Sequence, residues 1–220
     1  MSKSDEPKLV KVPENLQSFF QTSERLMEEF FKTFKRKPER GEATIGGMRY
    51  LLVRAESITL ELHEELKKNF GEAGAWRIAY RLGRALGKRD AQMLHERFGI
   101  EDSLTKLALG PVHFAHTGWA FVEILPESLP RPNEDYFLAY KHPYSFEADA
   151  YLEKGLKSEV PVCQMNAGYS CGWCEVSFGV ELVAEEIACR AMGDQQCTFV
   201  MAHPKHLKRL RDEFRAKSGI

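Results

Sequence analysis

Five cysteines are the residues best suited to chemistry: Cys163, Cys171, Cys174, Cys189 and Cys197 fall within one short stretch, and none precedes Cys163. Thiolates this close together point to local chemistry, most simply a metal. By spacing alone, Cys171-Gly-Trp-Cys174 forms one pair and Cys189 with Cys197 another, and four soft anionic ligands suit tetrahedral zinc. A C-x-x-C pair is also a redox signature, because a thiol at a helix start has a lowered pKa. No βαβ thioredoxin context surrounds it. A third reading is buried cysteines without a ligand. An odd count, behind an amino terminus with no apolar leader, speaks for a reducing, cytoplasmic setting.

Other signatures are missing. Gly87-Lys88 is followed by Arg89 and lacks the Ser or Thr of a phosphate loop. No G-x-G-x-x-G follows a strand, no G-x-S-x-G elbow is present, and there is no HExxH. The expectation is a protein that is not an enzyme. Thirty-one basic against 32 acidic residues give a net charge of -1, which argues against direct nucleic-acid binding. No apolar run reaches the ~20 residues that span a bilayer, so no membrane partner is expected. With 43% hydrophobic and 29% charged residues, a chain of 220 packs a core without disulfides.

The elements that must position the cysteines read as α+β. Residues 14–36 carry Leu16, Phe19, Phe20, Met27, Phe30, Phe31 and Phe34 at helical spacing. So aromatic a face, far from the later core, either packs on its own domain or docks on a second subunit. Residues 42–54 read as a hairpin around Gly46-Gly47. Helices follow at 55–69 and 72–98, then a short one near 101–108 capped by Asp102 or Ser103. Gly110-Pro111 is expected to end the helical pattern, with strands at 113–125 and 136–147 around a Pro-rich turn. Helix returns at 146–155, and Pro161 is expected to start the helix that carries CQMNAGYSCGWC. Residues 180–201 read equally as helix or as a hairpin at Gly193-Asp194. The tail, with six Lys or Arg against two acids, reads as a linker helix rather than a packed element. The domains expected are 1–54 (amino-terminal helix and hairpin, dimerisation), 55–203 (sensor with antiparallel sheet, helices and zinc site) and 204–220 (linker helix).

The stretch PVCQMNAGYSCGWCEVSFGVELVAEEIACRAMGDQQCTFVMAHP resembles the carboxy half of the sensor domain of aromatic-responsive bacterial enhancer-binding activators. That half is a small-ligand domain of the 4-vinyl-reductase type. The resemblance continues through GEATIGGMRYLLVRAES, GPVHFAHTGWAFVEILPE and YSFEADAYL, covering roughly 15–203. It implies a structural zinc site of three cysteines and a glutamate, on Cys163, Glu186, Cys189 and Cys197. Cys163 would arrive from the preceding helix, and backbone N–H groups or Arg190 would hydrogen-bond the sulfurs. Cys171 and Cys174 are then left over.

The resemblance also implies an aromatic pocket. Phenol-sensing relatives hold the phenol hydroxyl with a His and a Trp; here those positions are occupied by Phe114 and His142. Other lining positions fall on Leu107, His116, Tyr140, Trp173 and Ala184, with Tyr169 on the same helix as Trp173. A histidine pair there could receive a carboxylate or a different hydroxyl pattern. Phe114 and Trp173 as plain core, and the histidines as satisfied structural residues, are the bland alternatives. The function implied is a ligand-sensing domain that binds a small aromatic effector and controls a downstream transcription-activating ATPase, absent from this chain together with its DNA-binding domain. It would act as a homodimer in the regulation of aromatic catabolism. The alternatives are an enzyme acting on an aromatic or tetrapyrrole compound, and a zinc-stabilised dimerisation module without ligand.

Overall fold

The computed structural model describes residues 9–219. The first eight residues, where the expected dimerisation segment and the leaderless terminus begin, lie outside it. The chain opens with a short strand β1 (Val10–Lys11) and helix α1 (Gln17–Lys32). Phe20, Ser23, Met27 and Phe30 recur at three and four residues and are buried, so this stripe packs on the chain's own helix α3 (Ser103–Thr117). The premise that the whole face needs a second subunit is therefore corrected: most of it is already covered. The helix also ends earlier than expected. Lys35–Lys37 form strand β2, which pairs with β3 (Glu42–Ile45), itself paired with β4 (Met48–Tyr50). Gly46 and Gly47 make the β3–β4 turn at φ of 59° and 81°, conformations that side chains with a Cβ resist.

A π-helical turn (Ser57–Glu61) leads into α2 (Leu62–Phe98). The expected boundary between two helices is real: Gly71 breaks the α2 backbone with φ 70° and ψ 169°. Asp102 caps α3 by accepting from the Thr105 N–H at 2.8 Å. Contrary to expectation, α3 runs on through Pro111 to Thr117, so 113–117 are helix and the strand β5 is only Ala120–Ile124. Proline leaves the Leu107 carbonyl without its helical donor. In the same turn the Lys106 carbonyl accepts from the Trp173 indole at 2.8 Å, so tertiary bonds supply what a local break would have released to solvent.

The remaining elements are β6 (Phe137–Ser145), α4 (Phe146–Glu153), α5 (Gln164–Phe178), β7 (Val183–Ala188), β8 (Cys197–Ala202) and α6 (Pro204–Ser218). The ambiguous 180–201 is a hairpin. All six residues of β8 are buried, which is why it showed no alternation. Helix α5 starts at Gln164, three residues past Pro161, with Cys163 at its cap.

The main sheet has the order β1-β5-β6-β8-β7, antiparallel except for the β1–β5 edge pair. One face, carrying Val122, Ile124, Leu138, Tyr140, Phe199 and Met201, meets α3 and α5 in the main core. The other, carrying Phe137, Ala139, Ile187 and Val200, is covered by Leu207, Leu210 and Phe214 of α6. The tail helix is thus a packed element, which corrects its reading as a linker held off the domain.

Helix α5 presses against α2 with the two backbones in contact. A Cβ on Gly83 or Gly87 would meet the Met165 or Tyr169 carbonyl at 2.1 Å, and one on Gly168 or Gly172 the Tyr80 or Arg84 carbonyl at 2.0 or 2.1 Å. Arg84 then reaches Glu175 through two hydrogen bonds, at 2.8 and 2.6 Å, and Glu175 also accepts from the Leu182 N–H at 3.1 Å. The crossing holds α5, and with it both candidate sites, against α2.

Candidate functional sites: a cysteine-glutamate cluster and an apolar cavity

The β7–β8 hairpin and the residue before α5 bring four ligand groups together. Cys163, Glu186, Cys189 and Cys197 are all buried, with one donor atom of each within 4.8 Å of the others. The sulfurs of Cys163 and Cys197 are 3.6 Å apart. Two thiolates at ~2.3 Å from a tetrahedral metal would be separated by ~3.8 Å, so the donor set fits such an ion. One carboxylate oxygen of Glu186 accepts from the Cys163 N–H at 2.7 Å; the other is buried without a partner. That orphaned oxygen is the position a cation would satisfy.

Burial pushes the Cys163 thiol and the Glu186 carboxyl well up. Donation from the Cys163 and Cys197 thiols holds Cys189 far down. The metal-free cluster thus keeps protons that a cation would displace. The surround is ordered: the Arg190 N–H donates to Cys197 Sγ at 3.4 Å, and the Ser145 hydroxyl, which accepts from Asn166 at 2.9 Å, lies 3.2 Å from Cys163 Sγ. The Arg190 guanidinium turns away to Asp149. Ser145, Asn166 and Asp149 carried no motif signal. Cys171 and Cys174 lie apart from the cluster on α5; Cys171 donates to the Leu182 carbonyl at 3.1 Å.

A cavity of about 380 Å³ lies between the sheet and the two covering helices, at the small end of small-molecule pockets. Helix α3 contributes Leu107, Gly110, Pro111 and Phe114, β5 contributes Val122 and Ile124, β6 contributes Leu138 and Tyr140, and α5 contributes Tyr169, Ser170, Trp173 and Cys174. No lining side chain is charged. The strand residues come in i, i+2 pairs, the alternation that puts them on one face.

Of the eight residues expected at a pocket, Leu107, Phe114, Tyr140, Tyr169 and Trp173 line this cavity. Three do not. His116 leaves the cavity because it faces α1, where it stacks on Phe31 at 4.5 Å. Ala184 lies on β7, its N–H donating to the Tyr80 hydroxyl at 3.1 Å. His142 is wholly buried beside the cavity, 6.1 Å from Phe114 and 4.5 Å from Phe199 between ring centres, with neither ring nitrogen hydrogen-bonded. Burial pushes its pKa down to about 3, so the ring is neutral.

Asp90 of α2, unmarked by any motif, accepts from the Tyr169 hydroxyl at 2.7 Å, and that hydroxyl is 3.1 Å from His113 Nδ1. Burial raises the Asp90 pKa and depresses that of His113 to about 4.

With this geometry in hand, residues 29–128 match the family model described as activator of aromatic catabolism, and 144–202 match the model of the vinyl-4-reductase domain. The phenol regulator MopR of Acinetobacter guillouiae is 26% identical over 150 residues, 68% of this chain and 27% of that protein. The transcriptional regulatory protein XylR of Pseudomonas putida is 27% identical over 162 residues, 73% of this chain and 28% of that protein. The chain therefore spans little more than a quarter of the length of these relatives. The crystal structure of the phenol-responsive sensory domain of the transcription activator PoxR with phenol shares the fold, with a TM-score of 0.73 at 19% identity over 92% of this chain and 96% of that one. Two consecutive family matches on one shared fold place the chain in the family of aromatic-effector sensor domains of activators of aromatic catabolism.

Proposed function

We propose that the chain binds a small aromatic effector in the cavity between α3, β5, β6 and α5, and passes the binding event to further domains of a longer regulator. The observation that carries this reading is the enclosed, uncharged cavity with aromatic walls on the fold of a phenol-binding sensory domain. In that longer protein the partners would be a transcription-activating ATPase and a DNA-binding domain, in the cytoplasm. Among the described residues no helix is long and apolar enough to cross a membrane. The role is regulatory, not catalytic: an effector shifts the domain only through its preference for one of two arrangements. Isothermal titration of the chain with phenol, toluene, benzonitrile and benzoate tests it; saturable binding of at least one supports the reading, and none overturns it.

The cluster of Cys163, Glu186, Cys189 and Cys197 would hold one Zn²⁺. With all four positions taken by protein, the ion would be structural and would tie the β7–β8 hairpin to the start of α5. A homodimer is the proposed assembly, now through the segment after β4: Leu51, Leu52 and Val53 are 78%, 82% and 58% exposed, next to the hairpin.

A further inference from the structure

The cavity wall carries few polar groups, and nearly all are engaged elsewhere. The Trp173 indole N–H is given to the Lys106 carbonyl, and the Tyr169 hydroxyl to Asp90. The Tyr140 hydroxyl differs. It is buried, near Ser170, and makes no hydrogen bond of normal geometry. Burial raises its pKa well above the ordinary value for tyrosine, so it stays protonated and able to donate. A buried hydroxyl without a partner is costly enough to need an explanation, and an incoming acceptor supplies one.

Charge narrows the choice. An effector carboxylate entering this cavity would shed its water and meet no cation, which is strongly unfavourable. His142, two residues along β6 on the same face and 5.4 Å from Tyr140 between ring centres, is neutral and offers no compensating charge. The two positions at which the resemblance places phenol recognition hold Phe114, which has no polar atom, and His142, which does not line the cavity.

Resting on the reading of this cavity as an effector site, we propose that Tyr140 determines specificity: its hydroxyl donates to a neutral acceptor on the effector ring, and carboxylated aromatics are refused. The effector class is then an uncharged arene bearing one hydroxyl, carbonyl or nitrile-type acceptor.

The test titrates the wild-type chain and Tyr140→Phe with toluene, benzonitrile, phenol and benzoate at pH 7. Circular dichroism and metal content check that the variant folds. Benzonitrile and phenol are expected to bind wild type more tightly than toluene, with benzoate not binding. In Tyr140→Phe, benzonitrile should lose about tenfold, the scale of one buried hydrogen bond, and toluene should be unchanged or slightly tighter. Benzoate binding more tightly than toluene, or an unchanged benzonitrile-to-toluene ratio in the variant, overturns the assignment while leaving the effector site standing. Binding of none of the four overturns the effector reading itself.

Discussion

His142 and Cys197 stand directly opposite one another across the β6–β8 ladder, so a residue beside the cavity and a member of the cysteine cluster share one rung of the sheet. At the end of β6, Ser145 touches Cys163. The strand that carries Tyr140 is therefore fastened to the cluster at two points, and loss of the cluster's order should loosen one cavity wall.

The first prediction concerns the metal. The purified chain should carry about one zinc per molecule by elemental analysis. Cys163→Ala and Cys189→Ala should lose it and leave the carboxy-terminal third poorly folded, since structural zinc supplies ~10 kcal/mol or more of folding free energy. Cys171→Ser and Cys174→Ser should keep it. Loss of metal in those two instead would move the site to the C-x-x-C pair.

A second prediction tests the helix crossing. Gly87→Ala places a methyl group 2.1 Å from the Tyr169 carbonyl, where backbone and not a flexible side chain must yield. Urea unfolding should show a loss of ~3 kcal/mol, at the upper end for overpacking. Because Tyr169 lines the cavity, aromatic binding should weaken as well. A loss below ~0.5 kcal/mol would mean that the helices separate freely.

The pH dependence follows from His113, which faces Tyr169 and Trp173 of α5, Phe31 of α1 and His116 on its own helix. Burial, with a smaller push from His116, depresses its pKa from 6.5 to about 4. Between those values the unfolded chain binds the proton and the folded one does not. Stability is thus fully present above pH 6.5 and is lost as pH falls toward 4, at ~1.4 kcal/mol per unit. Denaturant unfolding at pH 7 and 5.5 should show this slope, and His113→Asn should flatten it by about that amount. An unchanged slope in the variant would show that His113 does not titrate.

Assembly is the fourth test. Light scattering at micromolar concentration should report a dimer, and the double substitution Leu51→Ser, Leu52→Ser should give a folded monomer. The same pair should leave zinc content untouched, because 51–53 lie outside the cluster. A dimer that survives the substitution would locate the interface elsewhere.

What the residues alone determined is mostly local. The Gly46-Gly47 turn, the Asp102 cap and the break at Gly71 are legible because each rests on backbone preferences within a few positions. The four members of the cysteine-glutamate cluster, and five of the cavity residues, were reachable through the resemblance, which transmits spatial neighbours that spacing cannot: Cys163 and Cys197 are 34 positions apart. Tertiary structure decided the rest. Helix α3 continues through Pro111 where local rules end it, with the Trp173 indole satisfying a carbonyl in that stretch. The aromatic stripe of α1 turned inward because α3 was there to receive it, and α6 packed because the outer face of a five-stranded sheet needed cover. His116 was drawn to Phe31 and away from the cavity, leaving the Tyr140 hydroxyl as the unsatisfied polar group on the cavity wall, a consequence of long-range packing that no pattern in the chain announces.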